Sequence, residues 1–295
     1  MSKRARMEHR RQRQAELARK AELARQRRRL GWAAASVALV LVIIGVLVAI
    51  RSTIGNSPPP AQAATASPGP DEVTAAVAHV PPDALDKVGL GAVDTLPKRL
   101  SGQPALTVDS KPLIVYIGAE YCPYCAAQRW GLAVALSRFG TFTGLGETKS
   151  SSIDAFPGTA TLSFHGATYT SQYIAFQGVE TTSNVRQGDG YAPLDTPTDA
   201  QNQLMKTYNP DGSIPFLDIA NTYVMSGASI SPEVLQGKAG IAIAGLLSTP
   251  DDPIAKAVDG SANAFTAAIC DVTGGQPAAV CTSSAVTAYQ AKLHG

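Results

Sequence analysis

The distribution of apolar and polar positions is dominated by two uninterrupted apolar runs. The first, residues 31–50, GWAAASVALVLVIIGVLVAI, has no charge across twenty residues. A helix rising about 1.5 Å per residue carries such a run across a roughly 30 Å hydrocarbon core, so it predicts a single transmembrane helix. The second, Leu113–Ile117, is five consecutive apolar residues, three of them β-branched, and reads as a central strand buried on both faces. After a break at Gly118–Glu120, Leu132, Leu136 and Phe139 recur at helical spacing, predicting a strand that hands over to an amphipathic helix. Cys122-Pro123-Tyr124-Cys125 sits at the handover.

Elsewhere the pattern is more broken. Residues 52–70, rich in Pro, Ala, Ser and Gly, predict an extended linker. Short helices are expected at Asp71–His79 and Asp83–Val88, and a strand at Ala105–Val108. Between Gly144 and Val179 scattered large apolar residues alternate with Thr and Ser, favouring strands. Thr196-Pro197-Thr198-Asp199 predicts a helix to about Tyr208, with Thr196 as its cap. Phe216–Ala220 and Thr222–Met225 predict a hairpin turning near Asn221, Ser231-Pro232-Glu233 opens a helix that Gly237 interrupts, and helical character resumes at Gly240–Leu247. Asp252-Pro253 opens another helix towards Cys270, and Val286–Leu293 closes the chain.

Charge divides the chain. Residues 1–30 hold twelve Lys or Arg against three Glu, net +9, and the remainder holds thirteen basic against twenty acidic residues, net −7, which sum to +2. With the basic cluster before the apolar run, the positive-inside rule places the N-terminus in the cytoplasm and the C-terminal part across the membrane. The alternative of a cleaved signal peptide, with AQAATA at residues 61–66 as its cleavage site, requires a shorter apolar run. The basic segment reads as a topology signal lying on anionic membrane lipid; no aromatics interleave for base stacking, so nucleic acid is not expected as a partner. The domains read as 1–30 basic cytoplasmic segment, 31–50 transmembrane helix, 51–70 linker and 71–295 extracytoplasmic domain.

The cysteine pair supplies the candidate chemistry. At a helix N-terminus, unpaired N–H groups and the helix dipole favour a thiolate at Cys122. Pro123 suits the first helical position, and Cys125 follows at a spacing that closes a disulfide. Tyr121 and Tyr124 flank the thiols as an apolar rim for an unfolded substrate.

Ala119-Glu120-Tyr121-Cys122-Pro123-Tyr124-Cys125 after an apolar strand resembles the thioredoxin superfamily active site. More closely, IGAEYCPYCAAQRW together with SFHGATYTSQYIAFQGVE resembles domain-of-unknown-function family 929, a thioredoxin-like family, from about Asp71 to the C-terminus. The resemblance implies that Cys122 is the exposed nucleophile and Cys125 the resolving thiol. It implies that Pro215, before the strand Phe216–Ile219, is a cis-proline facing the cysteines, with Ile214 as the substrate-contacting neighbour. Many superfamily members carry a buried carboxylate six residues before the first Cys, where this chain has Tyr116, so proton transfer is expected through water or Glu120. The segment at about 144–195 exceeds what the minimal fold needs and reads as a β-rich insertion, either a substrate-facing surface or a completion of the core.

Cys270 and Cys281, the remaining cysteines, predict a structural disulfide across a Gly- and Pro-containing loop, with a second redox relay as the alternative. His165 beside the Cys122–Cys125 pair gives only a weak metal pattern, because zinc asks for four ligands, and no metal site is expected.

These readings converge on an α/β protein with a thioredoxin-like fold and β-rich insertion, preceded by a single transmembrane helix. The expected function is a membrane-anchored, extracytoplasmic thiol–disulfide oxidoreductase acting on protein thiols, oxidase rather than reductase. It needs no cofactor beyond the redox-active Cys122–Cys125 disulfide, and its compartment suggests a quinone-linked membrane partner. The alternatives are a non-catalytic binding or scaffold module with a structural disulfide, and a copper- or zinc-handling protein.

Overall fold

The strand at Leu113–Ile117 is the centre of the C-terminal unit, since both its edges are paired and both its faces are covered. The computed structural model describes residues 70–295. In chain order, helices α1 (Pro70–Ala78) and α2 (Pro82–Val88) precede strands β1 (Lys98–Arg99), β2 (Thr107–Val108) and β3 (Lys111–Gly118), and helix α3 (Pro123–Ser137) comes after them. Then come β4 (Gly140–Thr143), β5 (Gly146–Lys149), β6 (Ala160–Ser163), β7 (Thr168–Ser171), β8 (Ala175–Glu180), β9 (Thr182–Gln187) and β10 (Gly190–Pro193). Helix α4 (Asp199–Tyr208), strands β11 (Phe216–Ile219) and β12 (Tyr223–Ser226) and a 3-10 turn at Pro232–Leu235 come next. Helices α5 (Gly240–Leu246), α6 (Pro253–Val272), α7 (Ala278–Cys281) and α8 (Ser284–His294) end the chain.

On one side β3 pairs antiparallel with β11, Ile117 opposite Phe216. On the other it pairs parallel with β8, from Leu113 opposite Ala175 to Gly118 opposite Glu180. Strands β12 and β1 extend the sheet beyond β11, and β2 pairs with the start of β3. Ile114 and Tyr116 face the main core with Trp130 and Phe265, while Leu113, Val115 and Ile117 pack with Val179 and Phe216 under α4. This two-sided burial is why the strand shows no apolar–polar alternation.

Helix α3 is buried on almost its whole circumference, and the Ala-rich α6 lies against it. Gly131 permits the approach, since a Cβ there would fall 2.6 Å from Ser261 Oγ. Gln128 Oε1 accepts from the N–H and hydroxyl of Ser229 at 2.8 and 3.0 Å, satisfying a polar group in this dry layer. One residue of α6 is not satisfied: Asp259 is fully buried, both its carboxylate oxygens lack a partner, and burial pushes its carboxyl up to about 8.

The expected fold class is corrected: the described residues form a mixed α/β fold of one six-stranded sheet, three two-stranded sheets and helices, rather than a thioredoxin-like fold carrying a β-rich insertion. The 144–195 segment is not all insertion, because β8 closes the central sheet against β3; Phe176 enters the main core and Val179 the opposite face, an arrangement hidden by the intervening Gln177 and Gly178. Among the described residues no helix is long and apolar enough to cross a membrane. The basic segment at 1–30, the apolar run at 31–50 and the linker to residue 69 lie outside the described residues.

Smaller departures have local causes. Helix α4 is capped by Thr198 rather than Thr196: its side chain accepts from Gln201 N while Gln201 returns a bond to Thr198 N, a reciprocal cap. Ser231 does act as an N-cap, accepting from Glu233 N at 3.3 Å, but the element it opens is a single 3-10 turn. The hairpin turns on Ala220 and Asn221, both with positive φ, and Asp218 Oδ1 accepts from Asn221 N.

Candidate active site at Cys122 and Cys125

The backbone leaves β3 at Gly118 and enters α3 with Cys122 as its N-cap, in extended conformation, and Pro123 as first helical residue. The Cys122 side chain performs the capping: its Sγ accepts the Cys125 N–H at 3.2 Å. Both thiols are free, but their environments differ, with Cys122 6% exposed and Cys125 0%. Hydrogen bonding from the Cys125 thiol, and from the backbone N–H groups of Cys125 and Tyr124, holds the Cys122 thiol below its ordinary value against opposing desolvation, with help from the Arg129 charge. Burial drives the Cys125 thiol well above its ordinary value, and its bond to Cys122 pushes it the same way. The pair is divided into an ionisable outer sulfur and a neutral inner one.

Pro215 and Ile214 come to the same place. The Ile214–Pro215 peptide bond is cis, and Ile214 O lies 3.9 Å from Cys122 Sγ. Tyr116 is fully buried on β3 with its hydroxyl unpartnered. Glu120 is half-buried, with its backbone N–H on Thr182 O at 2.9 Å. Tyr124 is exposed at 45%. The residues from β5 to β10 supply one wall: Tyr121 stacks on Tyr191 with centroids 4.3 Å apart, Tyr191 donates to Ser151 Oγ at 2.6 Å, and Ser151 N donates to Tyr121 O at 2.8 Å.

Sequence reasoning misses the groups within electrostatic reach of the sulfurs. Arg129 and Glu180 form a fully buried ion pair, Nε and Nη2 each 2.7 Å from a carboxylate oxygen. Burial raises the Glu180 carboxyl while the Arg129 charge and hydrogen bonds pull it back. The available signal was Arg129 four residues after Cys125, on the same face of the helix. Cys270 and Cys281 are joined by a disulfide that ties α6 to α7. His165 pairs with Asp195 at 2.7 Å and is 45% exposed in its side chain. Among the described residues no three His, Cys, Asp or Glu side chains group closely enough to hold a metal ion.

Fold and site thus define a mixed α/β protein whose central strand delivers a cysteine pair to the start of a buried helix. The chain belongs to the family described as domain of unknown function (DUF929), whose pattern matches residues 100–271, more than half of the sequence. No curated protein and no solved structure matches it.

Proposed function

We propose that this chain is a thiol–disulfide oxidoreductase that exchanges electrons with protein thiols through Cys122 and Cys125, in the oxidising direction. The observation that carries the reading is the asymmetry of the pair: Cys122 Sγ caps the helix at 3.2 Å from Cys125 N and touches solvent, while Cys125 is sealed behind it. In oxidation a substrate thiolate attacks Cys122 Sγ, the Cys122–Cys125 bond breaks, and a mixed disulfide forms. A second substrate thiolate then attacks the substrate sulfur of that bond, releasing the substrate disulfide and Cys122 as thiolate. The electrons remain on the cysteine pair, so an external oxidant must remove them; a quinone-linked membrane protein is the class of partner proposed. The Cys270–Cys281 disulfide supports an oxidising, extracytoplasmic compartment for the domain.

The test is the reduction potential of Cys122–Cys125 in the full-length protein, with turnover on a reduced, unfolded protein and Cys122→Ser as control. A value near about −120 mV with turnover is expected for an oxidase, and one near about −270 mV reverses the direction. A value below about −300 mV without turnover would falsify the enzymatic reading.

A further inference from the structure

Within electrostatic reach of the sulfurs lies a buried polar cluster for which simple exchange at Cys122 has no use. Arg129 stands one helical turn after Cys125, so its side chain leans back towards the cysteine end of α3. Its Nη2 reaches Ala119 O at 2.7 Å, in the loop that leads to Cys122. Glu180 fixes the guanidinium from the facing strand with both oxygens at 2.7 Å. Yet Arg129 Nη1, fully buried, has no partner, and neither has the Tyr116 hydroxyl on β3. Buried donors are ordinarily satisfied, so two left open near a reactive centre point to a group that needs them only in another state. Arg129 acts electrostatically on Tyr116 and on both thiols.

Cys125 Sγ is that group. When a substrate thiolate attacks Cys122 Sγ, the electron pair of the breaking bond leaves on Cys125 Sγ, at a point water does not reach. In the reverse step Cys125 gives up its proton and its thiolate attacks Cys122 Sγ; the substrate sulfur leaves with the electron pair and takes up a proton, so charge and protons balance. Both directions pass through a buried Cys125 thiolate. Glu180 is not free to accept the proton, since both of its oxygens are engaged by Arg129.

We propose that Arg129 Nη1–H and the Tyr116 O–H hold the charge on Cys125 Sγ during exchange, and that Glu180 is a positioning residue that aims Arg129. The proposal rests on the reading of Cys122 and Cys125 as an exchanging pair. It assigns a donor's role to Tyr116, where the sequence points instead to water or Glu120.

The test uses the reduced full-length protein and the chromogenic aromatic disulfide 5,5′-dithiobis(2-nitrobenzoate). Capture by Cys122 releases the first coloured thiolate, and attack by Cys125 releases the second. Tyr116→Phe is expected to leave the first phase within about threefold of wild type, whereas the apolar pair Arg129→Met with Glu180→Leu also slows it, because the Arg129 charge helps to hold the Cys122 thiol low. They slow the second about tenfold and move its pH midpoint up by about one unit, with Arg129→Lys intermediate. An unchanged second phase and midpoint in Tyr116→Phe and in any folded Arg129 variant overturns the proposal alone. Absence of both phases in wild type overturns the exchange reading together with it. Tyr116→Phe removes a single oxygen, so the test stands even if the charge-pair variants fail to fold.

Discussion

The ring of Phe156 stands edge-on to Tyr124, with centroids 6.1 Å apart and planes at 88°. This contact joins the loop between β5 and β6 to the dipeptide that separates the two cysteines. Phe156 is held there by its own backbone: its carbonyl accepts from Ser150 Oγ at 3.2 Å and Thr159 Oγ1 at 2.8 Å, and its φ is positive. If this wall receives unfolded protein, Phe156→Ala lowers kcat/KM on a reduced protein substrate by about three- to tenfold, in line with one aromatic contact. Reaction with a small disulfide stays unchanged. Equal losses on both substrates would show that the ring merely supports the thiols.

Cys122 is the thiol expected to react. Iodoacetamide modifies it in the reduced protein with a pH midpoint below that of an unperturbed thiol, while Cys125, raised by burial and 0% exposed, stays unmodified. Peptide mapping of the alkylated protein checks both halves. Modification of Cys125 first would reverse the assigned roles.

Asp259 sets a pH dependence of stability. Its carboxyl rises from an ordinary 3.8 to about 8 in the folded protein, so the folded state binds the proton more tightly than the unfolded chain. Stability from this group is therefore full below about pH 4, declines as pH rises, and levels off above about pH 8. Asp259→Asn removes that slope and gains on the order of 5 kcal/mol over wild type at alkaline pH in denaturant titrations. A wild-type-minus-variant difference that does not change between those limits contradicts the assignment.

The disulfide between Cys270 and Cys281 closes a short loop at the end of α6. Cys270→Ala together with Cys281→Ala costs about 3 kcal/mol, read as a lowered melting temperature, without altering the reduction potential of Cys122–Cys125. A changed potential would favour the relay that the sequence left open.

What the sequence made legible was local. Leu113–Ile117 reads as a strand without alternation, and Cys122-Pro123 reads as a helix start, because burial and capping leave their marks on neighbouring residues. Partnerships across the chain left weaker marks. Glu180 is an ordinary acidic residue at the end of a Gly-containing strand until β8 is laid parallel to β3, which brings it opposite Gly118 and within reach of Arg129. The same pairing removes β8, within 144–195, from the category of insertion. Thr198 outcompeted Thr196 as a cap because the reciprocal partner, Gln201, lies three residues beyond it and five beyond the other.

Because Cys122 is at once the reactive sulfur and the cap of α3, the electronic state of that sulfur is written into the helix it begins. A thiolate is a stronger acceptor than a sulfur in a disulfide, so the Cys125 amide is held more tightly when the pair is reduced. Amide hydrogen exchange at this one position thus slows on reduction and quickens on oxidation, giving a gauge of the redox state that needs no substrate and no label.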